Sequence, residues 1–391
     1  MKRFFAPCPR GLSGVLADEL QQLGATDTVA NDGGVGFVGD IEVAYRANLY
    51  SRIATRVLLQ VAEFPYRNEH EIYDTALLLP WPSWFSVDRT IKVEVTAHKS
   101  PVKSLDFTTL KIKDAVCDKF REVVNKRPSV ATRDPDVRIY AHLDATTATL
   151  YLDLSGAPLF KRGKRDHVGE APLKKNLAAG IIALTGWQPD EVFFDPMCGS
   201  GTFLVEAAEM ACRIAPAWSG GVLRHFAFEK LRDFDAALWK RLCDEARANE
   251  RSRNIAHVFG SDLFGDQLKI ARENLVANGL GDSVALKQAN VLEVPAPAEA
   301  GVLVTNPPYG ERLSDADSLR EMYPKLGDAL KQRFAGWRAY FFSGDGNLAK
   351  AIRLSASRRT PLYNGKIECR LYEYKVVAGG NRKEKPPTTE I

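Results

Sequence analysis

Asn306-Pro307-Pro308-Tyr309 places a side-chain amide, two prolines and an aromatic ring directly after a predicted strand at 301–305. Because proline fixes its backbone and has no N–H to donate, the carbonyls beside Asn306 are held in place as hydrogen-bond acceptors. Two acceptors suit an exocyclic NH₂ group, and the aromatic ring can stack on a planar base. Accepting both N–H bonds of a nucleobase amine stabilises the positive charge that develops as its nitrogen attacks a methyl group. The tetrapeptide therefore predicts a site for methylation of a base amine.

A glycine-rich segment follows an earlier predicted strand. It consists of Asp195-Pro196-Met197-Cys198-Gly199-Ser200-Gly201-Thr202 and precedes an apolar helix pattern. Glycines allow a sharp turn and a close approach of ligand to backbone, and open α/β sheets bind ligands at the carboxyl ends of their strands. The G-x-x-x-x-G-K-[ST] pattern of nucleoside triphosphate sites is missing. The segment therefore predicts a ligand site that does not take a triphosphate.

Two further polar residues follow predicted strands of the same region. Asp262 could accept both hydroxyls of a ribose, or it could cap the turn that follows it. Asn290 could contact the exocyclic amine of an adenine, or it could be a plain turn asparagine. The residues alone leave both alternatives open.

The elements that position these residues alternate between helix and strand from about 170 to 378. Strands are predicted at 191–194, 257–260, 284–288, 301–305, 337–343 and 366–377. This alternation predicts an α/β fold with an open, mostly parallel sheet, and the last strand is expected to pair antiparallel near an edge. Residues 210–256 exceed the length of a simple crossover and predict an extra helical excursion.

The amino-terminal part has a different pattern. Residues 1–55 predict a small α+β unit, and residues 56–160 predict a second unit with a helix at 109–124 and a hairpin across Asp144. Eleven Lys and Arg lie against five Asp and Glu between Arg89 and Arg133. This excess predicts either a solvated helix face or a surface that contacts phosphates.

Composition excludes several classes of protein. The 391 residues are 45% hydrophobic and 26% charged with a net charge of +4, as in ordinary globular proteins. The six cysteines and six histidines are dispersed, so we expect reduced cysteines and no metal site. We expect neither a membrane span nor a signal peptide, and hence a cytoplasmic protein. Residues 379–391 predict a disordered tail.

Beyond the glycine-rich and Asn-Pro-Pro-Tyr segments, other short motifs carry a resemblance to a known family. They are Ser104-Leu105, Asp153-Leu154-Ser155-Gly156, Lys161-Arg162-Gly163, Ala171-Pro172-Leu173-Lys174 and Leu362-Tyr363-Asn364-Gly365. With these motifs, residues 1–378 resemble the THUMP-containing rRNA methyltransferases, a class I S-adenosylmethionine-dependent family. The likeness is greatest to the amino-terminal half of its bifunctional 23S rRNA guanine-N2 members and to stand-alone bacterial relatives.

The resemblance implies a ferredoxin-like domain at 1–55, a THUMP RNA-binding domain at 56–160 and a Rossmann-like methyltransferase domain at 161–378. It also implies roles for individual residues. The donor S-adenosylmethionine would be bound by Asp195, Pro196, Cys198, Gly199, Ser200, Gly201, Thr202, Asp262 and Asn290, and the target base by Asn306, Pro307, Pro308 and Tyr309. RNA would be bound by Lys99, Lys103, Lys111, Lys113, Arg127, Arg162 and Arg165. Two positions depart from many relatives, which have aspartate at Asn290 and an aromatic residue at Lys164.

The leading hypothesis is a monomeric enzyme that methylates N2 of a guanine in 23S rRNA, free or in an assembling large subunit. Two alternatives stay open. The Asn306 motif serves an adenine amine equally well, which would give an adenine-N6 methyltransferase acting on DNA or RNA. A non-catalytic RNA-binding factor with a vestigial donor pocket is the third reading, and the intact glycines and Asn306 argue against it.

Overall fold

The computed structural model describes residues 1–164, 173–255, 257–307 and 313–377, with the helix backbone alone at 313–320. Two compact units make up the chain. Residues 1–163 and 214–250 form unit 1, and residues 164–213 and 251–391 form unit 2. The backbone therefore passes from one unit to the other three times, and unit 1 is built from two separate stretches of sequence.

The described residues contain the following strands and helices. The strands are β1 (Lys2–Pro7), β2 (Thr26–Asn31), β3 (Gly34–Gly39), β4 (Leu58–Pro65), β5 (Ile91–Ala97), β6 (Val137–Leu143), β7 (Thr147–Asp153), β8 (Phe193–Asp195), β9 (Val258–Asp262), β10 (Ala285–Gln288), β11 (Val302–Thr305), β12 (Arg338–Ser343), β13 (Arg358–Asn364) and β14 (Ile367–Lys375). The helices are α1 (Ser13–Gln22), α2 (Ile41–Tyr50), α3 (Glu69–Leu78), α4 (Trp81–Trp84), α5 (Leu105–Val124), α6 (Lys175–Thr185), α7 (Thr202–Ala211), α8 (Ala236–Ala248), α9 (Gly265–Ala277), α10 (Leu313–Arg333) and α11 (Leu348–Ala351).

One seven-stranded sheet runs through unit 1, in the order β2-β3-β1-β4-β7-β6-β5. Its pairs are antiparallel except for β5 and β6. The predicted hairpin is present, and its turn is closed by Asp144, whose Oδ1 accepts the amides of Thr146 and Thr147 at 2.8 and 2.7 Å. Because β4 pairs with both β1 and β7, the two predicted amino-terminal domains share this sheet, and a boundary at residue 55 stays a prediction.

The excursion predicted at 210–256 belongs to unit 1 over residues 214–250. It contains two 3₁₀ segments, Pro216–Gly221 and Ala227–Lys230, and helix α8. Phe228 stacks on Tyr45 of α2 with ring centroids 4.4 Å apart and meets Trp239 of α8 at 5.0 Å. All three rings are buried. The excursion therefore completes the aromatic core beneath α2.

The second sheet lies in unit 2, in the order β10-β9-β8-β11-β12-β14-β13. Neighbours from β10 to β12 are parallel, while β14 runs antiparallel to β12 and β13. The six predicted strands are present with small shifts at their ends, and the antiparallel last strand is confirmed. Strand β13 was not predicted, because it begins with Arg358 and Arg359 and contains Pro361, as suits an edge strand.

Close packing around β11 fixes its start. A Cβ on Gly301 would lie 2.7 Å from the carbonyl oxygen of Val192 and 2.8 Å from the Trp337 ring, so only glycine fits. Trp337 is buried, and its Nε1 donates to the Ala298 carbonyl at 3.1 Å. This packing fixes the start of β11 in the sheet.

Three further sequence predictions concern the cysteines, membrane-spanning helices and the carboxyl-terminal tail. All six cysteines carry free thiols. Among the described helices, none has the length and apolarity to cross a membrane. The predicted tail at 379–391 lies outside the described residues.

Candidate active site

Three parallel neighbours in the sheet, β9, β8 and β11, end at the same edge. Their last residues or the residues just after them are Asp262, Asp195 and Asn306. Because strand order and direction both match, side chains that are far apart in sequence meet at one edge. The structure thus brings together the main residues that the sequence analysis selected.

The glycine-rich turn is fastened to the end of β9. The Cys198 amide donates to the Ser261 carbonyl and the Gly199 amide to Asp262 Oδ2, each at 2.9 Å. Gly201 has φ of 77°, and a Cβ there would lie 3.2 Å from the Cβ of Ala271 in α9. Glycine is therefore required at 201 both by conformation and by packing. A Cβ on Gly199 would meet nothing within 4 Å, so this side of the turn is open to a ligand.

Asp195 ends β8 with its carboxyl group almost wholly buried, at 2% exposure. Burial raises the pKa of Asp195 to about 7, and the nearby Asp262 charge adds to this rise. The Met197 amide, which donates to Asp195 Oδ1 at 3.2 Å, opposes this rise by hydrogen bonding to the ionised form. The carboxyl group of Asp195 therefore titrates near neutral pH. A cationic ligand group nearby would favour its ionised state. Burial likewise raises the pKa of the Cys198 thiol, which stays protonated.

Asp262 and Asn290 both bond to their own loops. Asp262 Oδ1 accepts the Phe264 amide at 3.0 Å while Oδ2 accepts Gly199, so the carboxylate holds two loops together. Asn290 Oδ1 accepts the Leu292 amide at 3.0 Å and closes a turn after β10. The capping roles left open by the sequence are therefore real, and contacts to a ribose or an adenine stay predictions.

Asn306 follows β11, and its side-chain oxygen is buried. Within the described part of the chain, this Oδ1 has no hydrogen-bond partner. Pro307 is buried beside it, whereas Pro308 and Tyr309 lie outside the described residues. A buried acceptor without a partner is costly, and a bound NH₂ group would supply the missing donor.

A pocket that the sequence analysis missed lies against the glycine turn. It is lined by Lys164, Lys175, Ser200, Thr202, Asn274 and Asn278. Asn274 Nδ2 donates to the Ser200 carbonyl at 3.0 Å, and Asn278 bonds the backbone of Lys164 through both its amide atoms. The signal in the sequence was a pair of asparagines four residues apart, Asn274 on the buried face of α9 and Asn278 at its C-cap. The backbone of Lys164 is thus held by Asn278.

The basic residues predicted to contact RNA differ in how exposed and how paired they are. Lys99, Lys103 and Arg127 are exposed. Lys111 lies 5.4 Å from the Phe107 ring centroid, and Lys113 is paired with Asp114.

The guanidinium of Arg162 is not available to a phosphate in this structure. Arg162 is 4% exposed, and its Nη1 donates to the Arg52 carbonyl at 3.1 Å. In this structure Arg162 therefore supports the fold, and its contact with RNA stays a prediction. Arg165 lies outside the described residues.

Known proteins resemble this chain along nearly its whole length. A ribosomal RNA large subunit methyltransferase K/L of Aeromonas hydrophila is 40% identical over 96% of this chain and 55% of its own length. A putative RNA methyltransferase of Synechocystis is 38% identical over 95% of this chain and 96% of its own. The crystal structure of a putative methyltransferase complexed with SAH superposes with a TM-score of 0.86 at 32% identity, covering 97% of this chain and 98% of that one. The chain spans about half the length of the K/L relatives.

Three family models match in succession. They are an RlmL ferredoxin-like domain at 3–58, a THUMP domain at 66–153 and an RMKL-like methyltransferase domain at 162–373. Together with the sheet order and the strand-end site, they define a Rossmann-like methyltransferase with amino-terminal ferredoxin-like and THUMP domains, so the predicted fold class is confirmed. The chain belongs to the RMKL-like methyltransferase family.

Proposed function

We propose that this chain transfers a methyl group from S-adenosylmethionine to the exocyclic N2 of a guanine in 23S rRNA. The observation that carries the proposal is the buried Oδ1 of Asn306, which has no hydrogen-bond partner among the described residues and lies at the sheet edge that also holds the glycine turn. The substrate class is supported by the K/L relative, named as a methyltransferase of large-subunit rRNA, and by the match to a THUMP domain.

The residues at the glycine turn fit the methyl donor. The open side of Gly199 admits a ligand to the backbone, and the ionisable Asp195 favours a cationic amino-acid end. Asp262 stands at the end of β9 and Asn290 follows β10, where the ribose and the purine would lie across neighbouring strands. The donor supplies an electrophilic methyl group, and these residues hold and orient it.

The target base would be held by the segment that starts at Asn306. Asn306 Oδ1 and the adjacent backbone carbonyl accept the two N–H groups of the amine, and Tyr309 stacks on the base. These acceptors stabilise positive charge on the attacking nitrogen, so no strong general base is needed. Alignment of the amine nitrogen with the methyl group supplies much of the remaining lowering of the activation barrier. The guanine must leave its stack, which costs least where the RNA is unpaired or distorted.

The amino-terminal unit would hold the RNA through phosphates. Lys99, Lys103 and Arg127 form no ion pair within the described residues and are exposed, so their charges are available to a polyanion. Phosphate contacts of this kind give affinity and positioning rather than base recognition. We propose free 23S rRNA or an assembling large subunit as the partner, and the cytoplasm as the place of action because the ribosomal substrate is there.

A methylation assay separates this proposal from its alternatives. Purified protein and isotope-labelled donor are incubated with rRNA from cells lacking the gene, and the RNA is digested to nucleosides for mass spectrometry. The proposal predicts label in N2-methylguanosine from 23S rRNA. Label in N6-methyladenosine would replace it with the adenine alternative, and no transfer to any nucleic acid would favour the binding-factor alternative.

A further inference from the structure

A surface of unit 2 that the proposed function does not use carries an excess of positive charge. Between residues 350 and 375, seven Lys and Arg stand against two Glu. The net charge of +5 in this stretch exceeds the +4 of the whole chain. All seven basic residues are exposed, and they are Lys350, Arg353, Arg358, Arg359, Lys366, Arg370 and Lys375.

Most of these cations have no acidic partner. Within the described residues, the one ion pair among the seven joins Arg370 to Glu368 at 3.5 Å, and both side chains are exposed. Such an exposed pair contributes little. In unit 1, by contrast, four of the eleven basic residues between Arg89 and Arg133 have an acidic partner. In the part of the chain that the structure describes, six of the seven cations of unit 2 are thus available to an anion.

Five of the seven residues lie on the hairpin formed by β13 and β14. Asn364 pairs with Ile367 at the closed end of the hairpin. The two residues between them, Gly365 and Lys366, form the turn. Gly365 has φ of 65°, as the first central position of a type II′ turn requires. The turn therefore accounts for the Asn-Gly pair singled out in the sequence, and it places Lys366 at the tip.

The tip of this hairpin lies at the same edge of the sheet as Asn306. β12 is parallel to β11, and β14 is antiparallel to β12 with Arg370 opposite the last residue of β12. A Cβ on Gly344, the next residue, would lie 3.4 Å from Ile367 Cγ2, so the hairpin packs against the loop after β12. β12 and β14 separate β13 from β11, which is a distance of roughly 14 Å. RNA that delivers a base to Asn306 can therefore reach the hairpin with a nearby phosphate.

Protection of the sheet edge explains only part of this charge. β13 is the edge strand, and charged side chains on an edge strand prevent pairing with another chain. That role needs charge on β13 alone. Arg370 and Lys375, however, lie on β14, which has a neighbour on each side. Lys350 and Arg353 lie outside the sheet altogether. Edge protection also needs no single sign of charge, whereas an RNA backbone selects positive charge.

We propose that the β13–β14 hairpin binds phosphates of the RNA strand beside the target nucleotide. The proposal rests on the proposed function, because it takes the target base to be held at Asn306. Arg359 pairs with Tyr372, two residues after Arg370, so the two arginines are diagonal neighbours on one face of the hairpin. Diagonal neighbours lie roughly 7–8 Å apart, a spacing that suits consecutive phosphates. Contacts of this kind position RNA without reading its bases.

A double substitution in the full-length protein tests the hairpin. Lys366→Gln combined with Arg370→Gln should weaken binding of unmodified 23S rRNA by about three- to tenfold, and should reduce the slope of log K against log salt by roughly 1–2. An unrelated RNA of equal length should lose affinity by the same factor, because phosphates carry no sequence information. Donor affinity in calorimetry, and kcat at saturating RNA, should stay within about twofold of the wild type.

Lys269→Gln combined with Lys287→Gln is the matched control. These two lysines are exposed on α9 and on β10, which is the opposite edge strand, and their replacement removes the same amount of charge. RNA affinity of this variant should stay within about twofold of the wild type. Both double variants should keep the thermal midpoint of the wild type, because only exposed side chains are replaced.

Three results would contradict the proposal or its basis. Equal RNA affinity in the hairpin variant and the control, with methyl transfer intact in the wild type, would overturn the hairpin's role alone. A loss of affinity confined to 23S rRNA would also overturn it, since the hairpin would then read bases rather than hold phosphates. A wild-type protein that transfers no methyl group to RNA would overturn the proposed function as well.

Discussion

At the scale of single residues, Asn306 tests the chemistry most directly. Asn306→Ala removes an acceptor that is needed mainly in the transition state, so kcat should fall about 10²- to 10³-fold. Donor affinity should change by less than about twofold, because the donor is held by other residues. Single-turnover methyl transfer and calorimetry measure the two effects separately. Near-normal turnover would place the base elsewhere.

Asp195 gives a second residue-scale prediction through its raised pKa of about 7. The donor carries an ammonium group, which favours an ionised carboxylate nearby and so lowers the pKa of Asp195 in the complex. Donor affinity should therefore rise with pH up to about 7, by as much as tenfold per unit, and level off above it. Asp195→Asn should abolish this dependence in calorimetry between pH 5.5 and 8.5. The same slope in the variant would assign the titration to another group.

The raised pKa of Asp195 affects the stability of the fold in the opposite direction to donor affinity as pH rises. The folded state binds the Asp195 proton more tightly than the unfolded state, so the free energy of unfolding should fall as pH rises from about 4 to 7. A shift of about three units corresponds to about 4 kcal/mol as an upper bound. Denaturant unfolding of the wild type and of Asp195→Asn across this range tests it, and parallel pH profiles would contradict it.

The residues of the site could be predicted from sequence where a short local pattern identifies them. The glycine turn and Asn306 follow strands, and strand ends of a parallel sheet share an edge, so their proximity could be predicted. The burial of Arg162 could not be predicted, because the Arg52 carbonyl that its Nη1 meets lies 110 residues away in the sequence.

At the scale of elements, the contact between β9 and α7 depends on a glycine. A Cβ on Gly260 would lie 2.3 Å from Leu204 Cδ1 and 3.0 Å from Leu286 Cδ2. Gly260→Ala should therefore lower the free energy of unfolding by about 1–3 kcal/mol through overpacking. Because Gly260 precedes Ser261 and Asp262, donor affinity should fall as well.

Gly346 provides the matched control for this change, since a Cβ there would meet nothing within 4 Å. Urea unfolding should find Gly346→Ala within about 0.5 kcal/mol of the wild type. Equal stability of the two variants would show that α7 and β9 can separate without loss.

The elements that sequence predicted well have strong patterns. Strands such as β11 and β12 are apolar and buried on both faces, and α5 has a clear helical period. Strand β2 is largely exposed and lacks alternation, so its pattern gave no signal. Its place in the sheet comes from pairing with β3, a tertiary contact that no local pattern contains.

At the scale of the whole molecule, unit 1 includes residues 214–250. In the sequence these residues follow residues 164–213, which belong to unit 2. A fragment of residues 1–163 would expose the ring of Tyr45, which normally packs against Phe228. We expect that fragment to aggregate or to unfold at a much lower temperature than a fusion of 1–163 with 214–250. Circular dichroism and size-exclusion chromatography of both measure this. Equal stability would show that the excursion is dispensable for the fold.

The RNA-binding role of the same unit has a salt signature. Replacing Lys99 and Lys103 by Gln should weaken RNA binding and reduce the slope of log K against log salt by roughly 1–2, with donor affinity unchanged. Filter binding of 23S rRNA fragments from 50 to 300 mM salt measures the slope. Lys119→Gln is the control, because Lys119 is already paired with Glu122. An unchanged slope in the double variant would remove these two lysines from the interface.

The central claim is methylation of a guanine amine in 23S rRNA through Asn306. The most direct test compares the modified nucleosides of 23S rRNA from cells lacking the gene, complemented with the wild type or with Asn306→Ala. We predict that N2-methylguanosine falls in the deletion, returns with the wild-type gene and does not return with Asn306→Ala. An unchanged N2-methylguanosine content in the deletion, or full restoration by Asn306→Ala, would contradict the account.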